Sequence, residues 1–322
     1  MREINNYKVK YNRDTLDVEH MKSIGYDLID LRLSNKCNLM CISCNPKSSS
    51  MIFDETKKNY ETTSVHYKNI YDLTKHRDLT NPYSDENIED LMNCVSKNSR
   101  LYFTGGEPSV VKGVLKILQR LIDEGLNEDV EIEFNSNFQT KNPKFIDLLS
   151  HFPRGLMMPS LDGIGIRAEY IRFPSDWKRI RSNMEYFNER CPTWRFNIAP
   201  TISVLSIFYL DELLDFCHSN NYFISFTNML WGPTYLNIAI LPDKYKELAL
   251  QKLEHAQQKR LATDSQGNTR GLSSLRNYLY SADSDLERLQ ACKINLERLD
   301  KVRGNSYTKS LPILKEIFDE CL

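Results

Sequence analysis

"YDLIDLRLSNKCNLMCISCNP", residues 26–46, runs from a strand-like stretch (26–34) straight into Cys37, Cys41 and Cys44, three cysteines within eight positions. The whole chain holds only 8 cysteines in 322 residues, so this crowding asks for a reason. In a reducing compartment, clustered thiols more often hold metal than form disulfides. Three ligands converging directly after a strand make a loop wrapped around a metal. Structural zinc wants four closed ligands, yet the nearest histidines, His20 and His66, are remote in sequence. A redox pair at Cys41 and Cys44 is formally C-x-x-C but leaves Cys37 without a role. Three thiolates and one open position suit an iron–sulfur cube with one iron left for a ligand. Spacing alone leaves these three readings open.

Working outward, five more runs read as strands ending in polar or Gly-rich punctuation: "RLYFT" (100–104), "VEIEFN" (130–135), "GLMMPSL" (155–161), "RFNIAPTIS" (195–203) and "YFISFTNML" (222–230). Helical patterns at 110–126, 142–152, 175–191 and 210–220 lie between them. Alternation of strand and helix predicts a parallel sheet wrapped by helices. The fold class expected is α/β, a partial (β/α)6 barrel with a helical C-terminal extension; a doubly wound sheet is the competing topology. The expected organisation is an N-terminal extension (1–24), a core (25–242) carrying a helical insertion at about 45–99, and a helical region (243–322). The insertion is far longer than an ordinary loop and must carry helices of its own or a lid.

Composition bounds the function. The chain is 41% apolar and 26% charged with a net charge of −1, so no global field pulls it onto nucleic acid or an anionic membrane. No apolar run of about 18 residues occurs, and "MREINNYKVKYNRD" lacks the apolar stretch of a signal peptide. A cytoplasmic protein is expected. Basic patches such as "KHR" (75–77) read as solvated surface.

A second motif closes the second strand: "LYFTGGEPSV" places Gly105, Gly106 and Glu107 at its end. Glycines let a ligand approach the backbone, and a carboxylate follows at once. Alone, this reads as a turn before a helix. Together with C-x3-C-x2-C after the preceding strand, it resembles the radical S-adenosylmethionine (SAM) enzymes. The resemblance continues through "FNSNF" (134–138), "PSLDGIG" (159–165) and "EYIR" (169–172), covers roughly residues 25–242, and points to the SPASM/twitch branch. The tail, "LERLDKVRGNSYTKSLPIL", resembles those of small twitch-type members, including phage-encoded ones.

What the resemblance implies is specific. Cys37, Cys41 and Cys44 would hold one [4Fe–4S] cluster, whose fourth iron binds SAM through its methionyl amino and carboxylate groups. One electron would split SAM to a 5′-deoxyadenosyl radical, which abstracts a hydrogen atom from substrate. Gly105 and Gly106 would offer carbonyls to the methionyl ammonium, supported by Glu107. Asn137 would reach the methionyl carboxylate, Arg172 that carboxylate or the ribose, and Ser160 and Asp162 the ribose hydroxyls. Against these stand bland roles: Asn137 as the cap of the helix near Pro143, Asp162 as a turn residue, Arg172 as the partner of Glu169.

The chain also departs from the family pattern. Ser43 stands where many members carry an aromatic residue, and Tyr26 or Phe103 would have to compensate. Cys94, Cys191, Cys217, Cys292 and Cys321 are isolated, so a single cluster is expected, with no auxiliary one. Cys292 is a candidate hydrogen-atom donor; the competing reading is a buried helix residue. The expected substrate is a peptide or protein residue, with an electron donor such as flavodoxin or ferredoxin as partner. Alternatives are a nucleotide, tRNA or small metabolite as substrate, although near-zero charge argues against a large RNA. A non-catalytic zinc or iron–sulfur binding module is the rival of a different class.

Overall fold

The computed structural model describes residues 28–59, 85–261 and 271–322. Expectations for residues 1–24, Tyr26, His66, "KHR" (75–77), the middle of the 45–99 insertion and the link at 263–270 lie outside the described residues.

Six parallel strands form one sheet: β1 (Leu28–Arg32), β2 (Arg100–Thr104), β3 (Glu131–Ser136), β4 (Gly155–Pro159), β5 (Arg195–Ile198) and β6 (Phe223–Ile224). Their order is β1-β2-β3-β4-β5-β6. Each strand lies beside its predecessor with no reversal. A doubly wound sheet reverses direction at a switch point, so the winding is that of a barrel. No pairing joins β6 to β1 among the described residues, which leaves the barrel partial and open.

Alternation along the strands decides the two faces. Leu101, Phe103, Ile132, Phe134 and Met157 are fully buried against the helices. Phe103 stacks on Phe134 at 4.5 Å, and Phe134 meets Phe145 edge-on at 5.1 Å. The opposite, concave face carries Tyr102, Thr104, Glu133 and Asn135.

The helices follow. In the insertion, α1 (Ser50–Lys58) and α2 (Asp85–Cys94) flank the undescribed middle. Around the sheet come α3 (Lys112–Asp123), α4 (Pro143–Leu149), α5 (Gly165–Ile171), α6 (Trp177–Arg190) and α7 (Leu210–Ser219). After Pro242 the chain is helical: α8 (Asp243–Leu261), α9 (Leu272–Ser281), α10 (Leu286–Arg303), α11 (Tyr307–Ser310) and α12 (Pro312–Cys321). The stretch 272–303 breaks in two because Asp285 caps α10, accepting from the Arg288 amide at 2.9 Å.

The last two strands are shorter than the sequence predicts. Pro200 has no N–H to give a ladder, and the Ser203 amide bonds the Ser206 hydroxyl at 3.0 Å, folding the chain into a turn. Pairing returns only as an isolated bridge between Ile202 and Met229. No helix among the described residues is long and apolar enough to cross a membrane.

Candidate active site

The loop after β1 is clamped in place before any ligand is considered. The Met40 amide donates to the Phe173 carbonyl at 2.5 Å, and the Ile42 amide to that of Ile171 at 2.8 Å. The Ser49 hydroxyl holds the Leu39 carbonyl at 2.8 Å. Three thiols are thus fixed on one wall.

The glycines after β2 serve this loop. Gly105 has φ +116°, a backbone region open to glycine. A Cβ on Gly106 would sit 2.1 Å from the Lys36 carbonyl oxygen. The Gly106 amide bonds the Ser34 carbonyl at 3.0 Å and the Glu107 amide that of Lys36 at 2.8 Å. Missing side chains let the two loops touch; close packing of backbone on backbone is what these glycines demonstrably provide.

Glu107 is buried, and four donors converge on it. Its carboxylate accepts from the Ser109 amide (3.2 Å) and hydroxyl (2.6 Å), the Ser136 hydroxyl (2.9 Å) and the Asn137 amide (2.7 Å). Burial pushes its pKa up, against the pull of these donors. It ties the end of β2 to the end of β3. The Asn137 side chain donates to Asn38 Oδ1 at 2.7 Å, and the Asn38 side-chain amide to the Thr140 hydroxyl at 2.8 Å. Asn137 does not cap the following helix; Asn142 does, accepting from the Phe145 amide at 3.2 Å.

Asp162 is the partner of Arg172. The Arg172 Nη2 donates to Asp162 Oδ1 at 2.9 Å and its Nε lies 2.8 Å from Oδ2, while the Thr201 amide donates to Oδ1 at 2.7 Å. Burial works against the Arg172 charge, but Asp162 beside it prevails and raises the pKa. The third nitrogen, Nη1, lies 3.9 Å from the Cys41 sulfur. Glu169 is occupied elsewhere, accepting from the Trp177 amide at 2.9 Å at the start of α6.

These groups enclose a pocket of about 330 Å³. Its wall includes Cys37, Cys41, Cys44, Gly105, Gly106, Glu107, Asn137, Ser160 and Arg172. Of the residues singled out in the sequence, Asp162 stands behind Arg172 and not on the wall. Cys292 is fully buried in α10 and does not line the pocket either. Phe103 faces the helices, so it does not replace the aromatic missing at Ser43, which does line the pocket. Thr201 and Asn228 complete the wall after β5 and β6. Sequence reading missed both, although polar residues at strand C-terminal ends are the signal that found the others.

The donor set suits a cationic iron–sulfur group. Burial pushes the Cys41 thiol up to about 12, the Cys44 thiol to about 11, and Cys37 upward as well. Thiols so placed ionise when a metal shares them. Among the described residues, no three His, Cys, Asp or Glu side chains form a group able to hold one metal ion. That bears on a single ion, not on a cluster whose irons take one thiolate each.

Comparison with solved structures places the fold. The chain superposes on anSMEcpe with bound AdoMet at a TM-score of 0.51 and 16% identity, over 73% of this chain and 61% of that one. A histidine-tagged form of anSMEcpe with bound AdoMet gives 0.52 and 16%, over 73% and 58%. Streptococcus suis SuiB bound to S-adenosylmethionine gives 0.44 and 14%, over 80% and 53%. No protein-family model matches the sequence, and neither does any curated protein. The chain has the fold of the radical SAM enzymes. It spans about three fifths of the length of anSMEcpe.

Proposed function

We propose that this chain is a radical SAM enzyme that reductively cleaves SAM at a [4Fe–4S] cluster and abstracts a hydrogen atom from a peptide or protein residue. One observation carries the reading: three thiols, the Gly-Gly-Glu turn, Asn137, Ser160 and Arg172 meet on one pocket, each at or after the C-terminal end of a strand. The convergence of residues from four strand ends on one pocket supports this reading.

Cys37, Cys41 and Cys44 would hold the cluster. Bound there, it would supply one electron to the sulfonium of SAM, whose carbon–sulfur bond opens to methionine and a 5′-deoxyadenosyl radical. The protein's own work is positional. Gly105 and Gly106 offer carbonyls to the methionyl ammonium, and Glu107 holds that turn against β3. Asn137 reaches the methionyl carboxylate. Asp162 fixes Arg172 so that its Nη1 faces the cysteine side, where it meets carboxylate or ribose. Ser160 takes a ribose hydroxyl. Cys292, buried in α10, serves packing.

Beyond these, the pocket wall offers amides and hydroxyls from Asn45, Asn135, Thr201 and Asn228 with Leu230. Neutral donors and acceptors of this kind match the amides of a peptide. Among the described residues, Arg172 is the one cation on this wall, and it is already paired with Asp162. A reducing protein partner such as flavodoxin or ferredoxin, a single cluster and a cytoplasmic setting complete the proposal.

The test is anaerobic reconstitution with iron and sulfide, followed by SAM and a strong reductant. The expected result is a brown protein with about four irons that forms 5′-deoxyadenosine, and a Cys41→Ser variant that holds less iron and forms none. Colourless protein with stoichiometric zinc would establish the binding module instead. A wild-type cluster that never cleaves SAM would overturn the enzymatic reading.

A further inference from the structure

Against the cysteine loop lies a second and much smaller cavity of about 20 Å³ that shares Cys41 and Cys44 with the pocket, room for about one water molecule. Cys41 and Cys44 form one wall, and Glu55, Arg298 and Arg303 form another. Two of these come from α10 in the C-terminal tail, far from the loop in sequence.

Arg303 and Glu55 make a two-pronged ion pair: Nε to Oε1 at 2.7 Å and Nη2 to Oε2 at 2.7 Å. Their side chains are 4% and 12% exposed. The remaining Arg303 nitrogen, Nη1, is buried without a hydrogen-bond partner, and so is Nε of Arg298. No acidic side chain pairs with Arg298 among the described residues. Among the described residues that line the cavity, two guanidinium groups and one carboxylate leave a formal excess of one positive charge. The same helix is latched nearby: Tyr170 donates to Asp300 at 2.8 Å, and the Tyr307 amide to its other oxygen at 2.7 Å.

We propose that Arg298 and Arg303 are positioning residues that set the electron affinity of the group held by Cys41 and Cys44. This rests on the reading of the pocket as an iron–sulfur site. Arg303 is 4% exposed and the Arg298 Nε is buried, so charge on this wall is screened less than at the open surface. The excess positive charge stabilises the more negative, reduced form of its neighbour, which raises the reduction potential. Glu55 sets the size of that excess by cancelling one of the two cations. The tail is then part of the redox site and not merely a cover for the barrel.

The experiment is an electron-paramagnetic-resonance titration of midpoint potential on the reconstituted full chain. Arg298→Gln removes the excess charge, and the reduced-to-oxidised ratio at fixed poise is expected to fall about tenfold, or about 59 mV for one electron. Glu55→Gln, nearly isosteric, frees Arg303 and is expected to move the potential upward by a similar amount. Arg298→Lys keeps the charge and is expected to keep the potential. A purely structural role would alter melting or iron content in these variants but would not move the potential in opposite directions. With full iron content, unchanged potentials, or shifts of one sign in both Gln variants, overturn the inference. Should Arg298→Gln fail to fold, the sign in Glu55→Gln decides alone. A wild-type chain that takes up no iron fails at the earlier step, the reading of the pocket itself.

Discussion

The two ends of the sheet use polar residues in opposite ways. Toward the N-terminal ends of the strands, the concave face carries ion pairs with exposed arginines: Arg100 with Glu133 at 3.3 Å and Arg195 with Glu131 at 3.2 Å. At the C-terminal ends, Glu107, Asn137 and Asp162 are buried and bonded to several partners each. Between them, Asn135 donates to the Tyr102 hydroxyl at 2.6 Å. Exposed pairs are worth about 0–1 kcal/mol. A buried charge that loses its partner costs about 3–5 kcal/mol. One end of the molecule can therefore drift under mutation, while the other is held to a geometry.

The sharpest way to break this contrast is Asp162→Ala. It strips Arg172 of two contacts and leaves a guanidinium buried beside Cys41. The expected loss is about 3–5 kcal/mol in a urea unfolding experiment, together with a marked fall in SAM affinity by equilibrium binding. Asp162→Asn keeps the shape and is expected to lose less on both readouts. Near-normal stability in Asp162→Ala would mean that Arg172 finds water or another acceptor, and that the pair does not organise the site.

Gly106→Ala comes next. Its Cβ would meet the backbone of Lys36, which cannot swing aside as a side chain would. Overpacking of this kind costs about 1–3 kcal/mol, and the strain falls on the loop that carries Cys37. The expected outcome is a moderate drop in melting temperature with a disproportionate loss of iron on reconstitution. Equal stability and full iron content would show that the two loops have slack between them.

How much of this was legible beforehand follows from the range of the interactions. The six strands and the cysteine loop could be read because they depend on residues a few positions apart. The run of one-face apolar residues in "RLYFT" and the spacing from Cys37 to Cys44 are local facts. The roles of Glu107, Asp162 and the glycines could not be read in the same way. Glu107 bonds Ser136 and Asn137 some 30 positions later, and Asp162 bonds Thr201 at a distance of 39. Arg303 reaches Glu55 across 248 positions. Glu107 and Asp162 also hold other motif residues, a role that only three-dimensional register reveals. Strand ends failed for a related reason. "RFNIAPTIS" looks extended throughout, yet Pro200 and the Ser203–Ser206 turn end the ladder early.

The smallest effect tests the other end. Arg100 begins β2, is 47% exposed and pairs with Glu133 at 3.3 Å. Water already solvates much of its guanidinium, so the pair adds little beyond what each group has when separate. Arg100→Gln is expected to change stability by less than about 1 kcal/mol, and the proposed SAM cleavage is expected to be unchanged. A double-mutant cycle with Glu133→Gln is expected to give a coupling of the same small size, reduced further by added salt. A coupling of several kcal/mol would place this pair in the same regime as Asp162 and Arg172. The lower rim would then be a second rigid ring, and the contrast between the two ends of the sheet would disappear.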